Sequence, residues 1–147
     1  MIPVEVGGEL LLPVCPGTVP AGFPSPAADY IEERIDLNKH LIKHPSATYF
    51  IVTGGDSMIN AFIPPKAMLL VDRAIEPENG DIVYAEFEGE FTVKYLRKNE
   101  LKAWLVPANP KYREMEIRPE SNCIIWGVVT AIITNPKDVR HVGFGRC

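Results

Sequence analysis

No run in this chain approaches the roughly 20 apolar residues that a membrane-spanning helix needs. Secretory-signal character is missing as well. The apolar patch Leu10-Leu11-Leu12-Pro13-Val14-Cys15 follows Glu5 and Glu9 and is preceded by no Lys or Arg, whereas a signal peptide needs a basic n-region and a longer apolar core. The expectation is a protein neither exported nor embedded. Cysteine is scarce. Cys15, Cys123 and Cys147 are widely spaced and odd in number, so they form neither a disulfide framework nor a metal-ligand pattern, which favours a reducing, cytoplasmic setting. There is no excess of positive charge, and the net charge of −4 gives no footprint for tight, direct nucleic-acid binding. Of the three histidines, His40 and His44 stand four apart, as two metal ligands on one helix face can. No third ligand accompanies them, and solvated surface histidines are the reading adopted. No cofactor and no metal are expected. Internal repeats and low-complexity segments are also lacking.

What the chain has in quantity is proline and short β-rich runs. Fourteen prolines against eleven glycines in 147 residues point to turns and strands and not to a helical bundle, in a length that suits one domain with an arm. Residues 1–24 read as that arm, because Pro3, Pro13, Pro16, Pro20 and Pro24 with Gly7, Gly8, Gly17 and Gly22 oppose long helices and central strands. Within it, Val4-Glu5-Val6 and Leu10-Leu11-Leu12 can add as edge strands to a neighbouring sheet. Ser25-Pro26 reads as an N-cap followed by proline at the first helical position. A short helical segment is expected near residues 26–44, with Asp36 as a second cap and Pro45 as the stop.

From there the pattern is β. Residues 48–52, 68–71, 81–87, 90–96, 101–106 and 123–133 are rich in β-branched and aromatic side chains. Glu88-Gly89 separates two of these runs and suits a hairpin. Asn79-Gly80, Asn109-Pro110 and Asn135-Pro136 punctuate others. The domain would span residues 25–135, with 136–147 as a tail of mixed character.

Two residues carry candidate chemistry. Ser57, in Gly55-Asp56-Ser57-Met58, closes an apolar run, and Lys94 follows 37 residues later in an alternating strand. A serine hydroxyl becomes a good nucleophile once a neighbouring base takes its proton, and lysine is one of the few side chains able to do so. Such a lysine must be desolvated, which lowers its pKa from about 10.4 toward 7–8. The plain alternatives are a solvated edge lysine and a serine that caps a short helix. Gly54 and Gly55 permit a sharp turn from strand to helix, and backbone N–H groups at such a start can hold an oxyanion. An Ala21-Gly22 pair lies 36 residues before Ser57.

The span Gly22-Phe-Pro-Ser-Pro-Ala-Ala-Asp-Tyr30, with Arg34-Ile-Asp-Leu-Asn38 and His44-Pro-Ser-Ala-Thr-Tyr-Phe50, closely resembles the LexA/UmuD family of self-cleaving Ser–Lys proteases. The likeness continues through Gly55-Asp-Ser-Met-Ile59, Gly80-Asp-Ile-Val83, Gly89-Glu-Phe-Thr-Val-Lys94 and Gly127-Val-Val129, and covers residues 21–134. The resemblance implies a mainly β fold, the curved β-sheet domain shared by LexA-type proteases and bacterial signal peptidases. It implies Ser57 as nucleophile, Lys94 as general base, and the Ala21–Gly22 bond as the substrate. It further implies cleavage promoted by a RecA filament on single-stranded DNA, and a trimmed homodimer that serves a Y-family DNA polymerase of the UmuC kind. A polymerase-accessory binding module without significant protease activity is the alternative. Two departures stand out after Ser57. The family usually carries glycines and a Gly-Asp ahead of its next strand, whereas this chain has Ala61-Phe62 and Lys66-Ala67, with Pro64-Pro65 stiffening the same loop.

Overall fold

The computed structural model describes residues 8–15, 17–18 and 33–139. Nine strands and one short α-helix are formed by these residues: β1 (Leu11–Val14), β2 (Glu33–Asp36), α1 (Leu37–Leu41), β3 (Thr48–Val52), β4 (Met68–Asp72), β5 (Ile82–Phe87), β6 (Glu90–Lys98), β7 (Ala103–Val106), β8 (Met115–Ile117) and β9 (Cys123–Ile133). Short 3-10 turns occupy Pro45–Ala47, Ile59–Ala61 and Pro136–Asp138. The mainly β expectation is met. Each β-rich run contains a strand, and β3 and β9 match the expected bounds. Two strands went unread from the sequence: β8, three residues long, and β2.

The helical expectation is met in part. Among the described residues, α-helix is confined to α1, and Asp36 caps it by accepting from the N–H groups of Asn38 (3.0 Å) and Lys39 (3.5 Å). Glu33–Asp36, assigned from the sequence to the helical segment, is extended and pairs antiparallel with β1 from Leu11↔Asp36 to Val14↔Glu33. A partner strand supplied by the arm overrides the local helical preference. The arm strand thus belongs to a two-stranded ribbon and not to the large sheet. Ser25-Pro26 and Val4-Glu5-Val6 lie outside the described residues.

The other seven strands form one antiparallel sheet in the order β3-β4-β9-β5-β6-β7-β8. Long β9 runs through its middle and is bulged twice. Pairing with β4 jumps from Leu70↔Ala131 to Val71↔Val129, and pairing with β5 jumps from Tyr84↔Gly127 to Ala85↔Ile125. A bulged strand bends and twists more strongly, so β9 curves the sheet and sets its two core clusters. One gathers Met58, Ala61, Ile63, Ala67 and Leu69 around the loop after β3, and the other gathers Val83, Ala85, Leu96, Leu105 and Val128. The β5–β6 hairpin turns through Glu88 (φ 51°) and Gly89 (φ 83°), the paired positive φ values that suit a two-residue connection.

Between the two bulges, Gly127 lies against β4 so closely that a Cβ would stand 2.7 Å from Val71 Cγ1 and 2.9 Å from the Asp72 carbonyl oxygen. Neither neighbour has room to give, since Val71 is fully buried and the other contact is backbone. Gly127→Ala is expected to destabilise the fold by about 1–3 kcal/mol, read as a lowered urea midpoint with an unchanged slope.

Candidate active site

After β3 the chain turns sharply at Gly55 (φ 71°) and delivers Ser57 to the rim of a cleft of about 230 Å³. The cleft is bounded by Gly54, Gly55 and Ser57 on one side and by Tyr84, Thr92 and Val93 on the other. Tyr84 stacks on Phe91 at 5.4 Å between ring centroids, which gives that far wall a rigid aromatic face. Ser57 does not cap a helix through its side chain. The turn at Ile59–Ala61 begins after Met58 and has no side-chain cap, and the Ser57 hydroxyl is committed elsewhere.

Its partner is Lys94. The Lys94 Nζ lies 2.9 Å from Ser57 Oγ, 2.5 Å from Thr92 Oγ1 and 3.1 Å from the Val93 carbonyl oxygen. Strand β6 pairs with β5 from Glu90 to Tyr95 but with β7 only from Tyr95 onward. Lys94 therefore stands where one edge of β6 is still unpaired, and its side chain reaches the Ser57 loop from there. It is no solvated edge lysine, because only 8% of its surface is exposed. Burial pulls its pKa below the ordinary 10.5, since desolvation disfavours the ammonium form. Among the described residues no carboxylate lies within salt-bridge distance to restore it. A neutral amine has two N–H donors and one lone pair. Thr92 Oγ1 and the Val93 carbonyl accept the two donors, which leaves the lone pair for the Ser57 hydroxyl.

The Ser57 loop is strapped down by the segment after β7. Ala108 N–H donates to the Ser57 carbonyl, and Asn60 N–H donates back to the Ala108 carbonyl, each at 2.9 Å. Asn109 Nδ2 donates to the Asp56 carbonyl at 2.9 Å, and Tyr112 O–H donates to Asp56 Oδ1 at 2.5 Å. The hydrogen bond and charge of Asp56 raise the Tyr112 pKa, which keeps the phenol a donor. Among the described residues, the N–H groups of Ser57 and Met58 are engaged by none of the backbone or side-chain acceptors, so both remain available beside Oγ.

Of the residues singled out from sequence, Ser57 and Lys94 are brought together, while Ala21 and Gly22 lie outside the described residues. Asn109, Tyr112 and Thr92 were missed. Asn109-Pro110 was legible only as punctuation, and a two-residue offset from Lys94 on the same strand face was the sole hint of Thr92. Away from the cleft, His44 Nδ1 lies 2.6 Å from the buried Asp72 Oδ2, so His44 contacts a carboxylate in place of the expected wholly solvated surroundings. No three His, Cys, Asp or Glu side chains converge to hold a metal among the described residues.

The sequence matches the family described as Peptidase S24-like over residues 13–130. The chain belongs to that family. It is 45% identical over 120 residues to Protein ImpA of Salmonella typhimurium, a match covering 82% of this chain and 81% of the relative. It is 47% identical over 131 residues to Protein SamA of Salmonella typhimurium strain LT2, covering 89% and 88%. To the LexA repressor of Alcanivorax borkumensis it is 35% identical over 130 residues, covering 88% of this chain and 62% of that protein. These likenesses bear out the LexA/UmuD resemblance drawn from the motifs and the fold that it implied. No helix among the described residues is long and apolar enough to cross a membrane.

The strap makes a specific demand on Asn109. Asn109→Ala leaves the Asp56 carbonyl without its donor in a part-buried site, at an expected cost of about 1–2 kcal/mol. Urea unfolding monitored by tryptophan fluorescence checks it.

Proposed function

We propose that this protein is a self-cleaving serine endopeptidase that cuts its own arm at Ala21–Gly22, with Ser57 as nucleophile and Lys94 as general base. One observation carries the reading: a buried lysine amine, its pKa lowered and without a carboxylate partner among the described residues, 2.9 Å from a serine hydroxyl at the rim of a cleft. Membership of a peptidase family that includes a LexA repressor supports it.

In this mechanism the arm lies in the cleft with the Ala21 carbonyl facing Ser57. Ser57 Oγ attacks the carbonyl carbon as its proton passes to the Lys94 amine. The oxyanion that forms is held by the Ser57 and Met58 N–H groups, which are aimed before charge develops. Collapse breaks the Ala21–Gly22 C–N bond, and the Lys94 ammonium gives its proton to the departing Gly22 amine. Ala21 is then esterified to Ser57. A water that loses a proton to Lys94 hydrolyses the ester, releasing residues 1–21 and restoring the hydroxyl. Thr92 and the Val93 carbonyl hold the nitrogen toward Oγ, so that its lone pair can take the proton and the resulting N–H can return it.

The wider role we propose follows the family. A RecA filament on single-stranded DNA promotes the cut during the SOS response to DNA damage. The trimmed chain, as a cytoplasmic homodimer, becomes an accessory subunit of a Y-family, UmuC-like polymerase in translesion synthesis and SOS mutagenesis. Neither the −4 net charge nor the site calls for direct, tight DNA binding by this chain.

Incubating the purified protein at alkaline pH, or with RecA, ATP and single-stranded DNA, is expected to yield a product whose mass and N-terminus place the new end at Gly22. Ser57→Ala and Lys94→Ala should each slow this by about a thousandfold or more. A chain that stays intact under both conditions would leave the accessory-module reading in its place.

The activator-free cut should also depend on pH in one direction. Raising pH increases the neutral fraction of Lys94, and because its pKa lies below the ordinary value the rise should begin earlier than a free lysine allows. The rate should climb with pH and level off once the amine is neutral. A rate that is flat or falling over that range, measured by gel densitometry, would exclude Lys94 as the base.

A further inference from the structure

The loop that follows the nucleophile turn carries two residues in a conformation that side chains rarely adopt. Phe62 (φ 64°) and Lys66 (φ 70°) are both left-handed and neither is glycine. Phe62 is also 85% exposed, so no described side chain packs on it in return for the strain. Such an outlier, with its aromatic ring held out into solvent, indicates a contact made beyond the described residues. The ring borders a groove of about 640 Å³ between Ile59, Phe62, Pro64 and Pro65 on one bank and Ile132 and Val139 on the other. Ile59 and Val139 are each close to half exposed.

Val139 is the last described residue, so the chain leaves the described structure from inside this groove. The eight residues that follow, Arg-His-Val-Gly-Phe-Gly-Arg-Cys, contain Val142 and Phe144. Phe144 lies five residues on, a reach of up to about 18 Å from Val139 when extended. The peptidase-family match ends at residue 130. The second bank of the groove therefore lies beyond that match, and the first bank carries Ala61-Phe62 and Pro64-Pro65, where this chain departs from the family pattern.

We propose that the groove is the docking site of this chain's own C-terminal segment, residues 140–147, with Val142 and Phe144 packed against Phe62, Ile59 and the two prolines. Docking ties the tail to a loop that begins two residues after Ser57. It thereby stiffens the turn whose Asn60 N–H is anchored on the Ala108 carbonyl. The proposal concerns packing alone and stands whether or not the chain cuts itself.

Hydrogen exchange in the full chain tests it. The Phe62 and Ile63 N–H groups bond to the Ile59 and Met58 carbonyls within the loop, and they report its local opening. In a Val142→Asp/Phe144→Asp variant they should exchange roughly fivefold faster or more, while the core amides of Val83 and Val128 keep their parent rates. Phe62→Ser should in turn raise exchange across residues 140–147. Loop amides that ignore the tail substitutions would overturn the proposal. Protection that follows protein concentration and not the tail substitutions would also overturn it, since a second copy would then be the occupant.

Discussion

Everything at this site depends on keeping one lysine amine out of water with no counter-ion beside it. A buried ammonium is costly unless it is paired, and burial accordingly lowers the pKa of Lys94. The fold makes that burial workable by surrounding Lys94 Nζ with two acceptors, Thr92 Oγ1 and the Val93 carbonyl, and one hydroxyl, Ser57 Oγ. A carboxylate in any of these places would favour the ammonium form and raise the pKa again. Apolar surroundings alone would leave the amine unoriented. The arrangement lies between those extremes.

The rest of the domain serves that arrangement at one remove. The bulges of β9 curve the sheet, and Gly127 lets β9 and β4 approach between them. The Ser57 loop is secured separately. Its apolar side enters the core through Met58, Ala61 and Ile63, and its backbone is strapped by Ala108, Asn109 and Tyr112. Ser57 is thus fixed by packing on one side and hydrogen bonds on the other, and its hydroxyl need not help to hold the loop.

The loop from Ile59 to Ala67 shows how a departure from a family pattern is accommodated. Left-handed backbone at Phe62 and Lys66 persists although glycine is absent, at about 1–3 kcal/mol each. The same backbone turns place Ala61 and Ala67 in the core. The shape of the loop is therefore set by what it must bury, and the residues at its corners accept the strain.

By itself the sequence determined the strands of the large sheet except β8, because alternation and β-branched content act over a few neighbouring residues. It determined the hairpin at Glu88-Gly89 and the sharp turn at Gly55 for the same local reason. It also marked Ser57 and Lys94 as the chemically capable pair, through motif spacing and family resemblance. Other features were decided only by tertiary structure. Extended backbone at Glu33–Asp36 requires the arm strand at Leu11–Val14 as its partner. The strap from Asn109 and Tyr112 to Asp56 joins residues 53 and 56 positions apart, and His44 meets Asp72 across 28. Above all, burial of Lys94 depends on an unpaired stretch of strand edge facing a loop 37 residues away. Periodicity reports which face a side chain takes, but solvation is a property of everything packed around it, and burial is what lowers the pKa of this lysine.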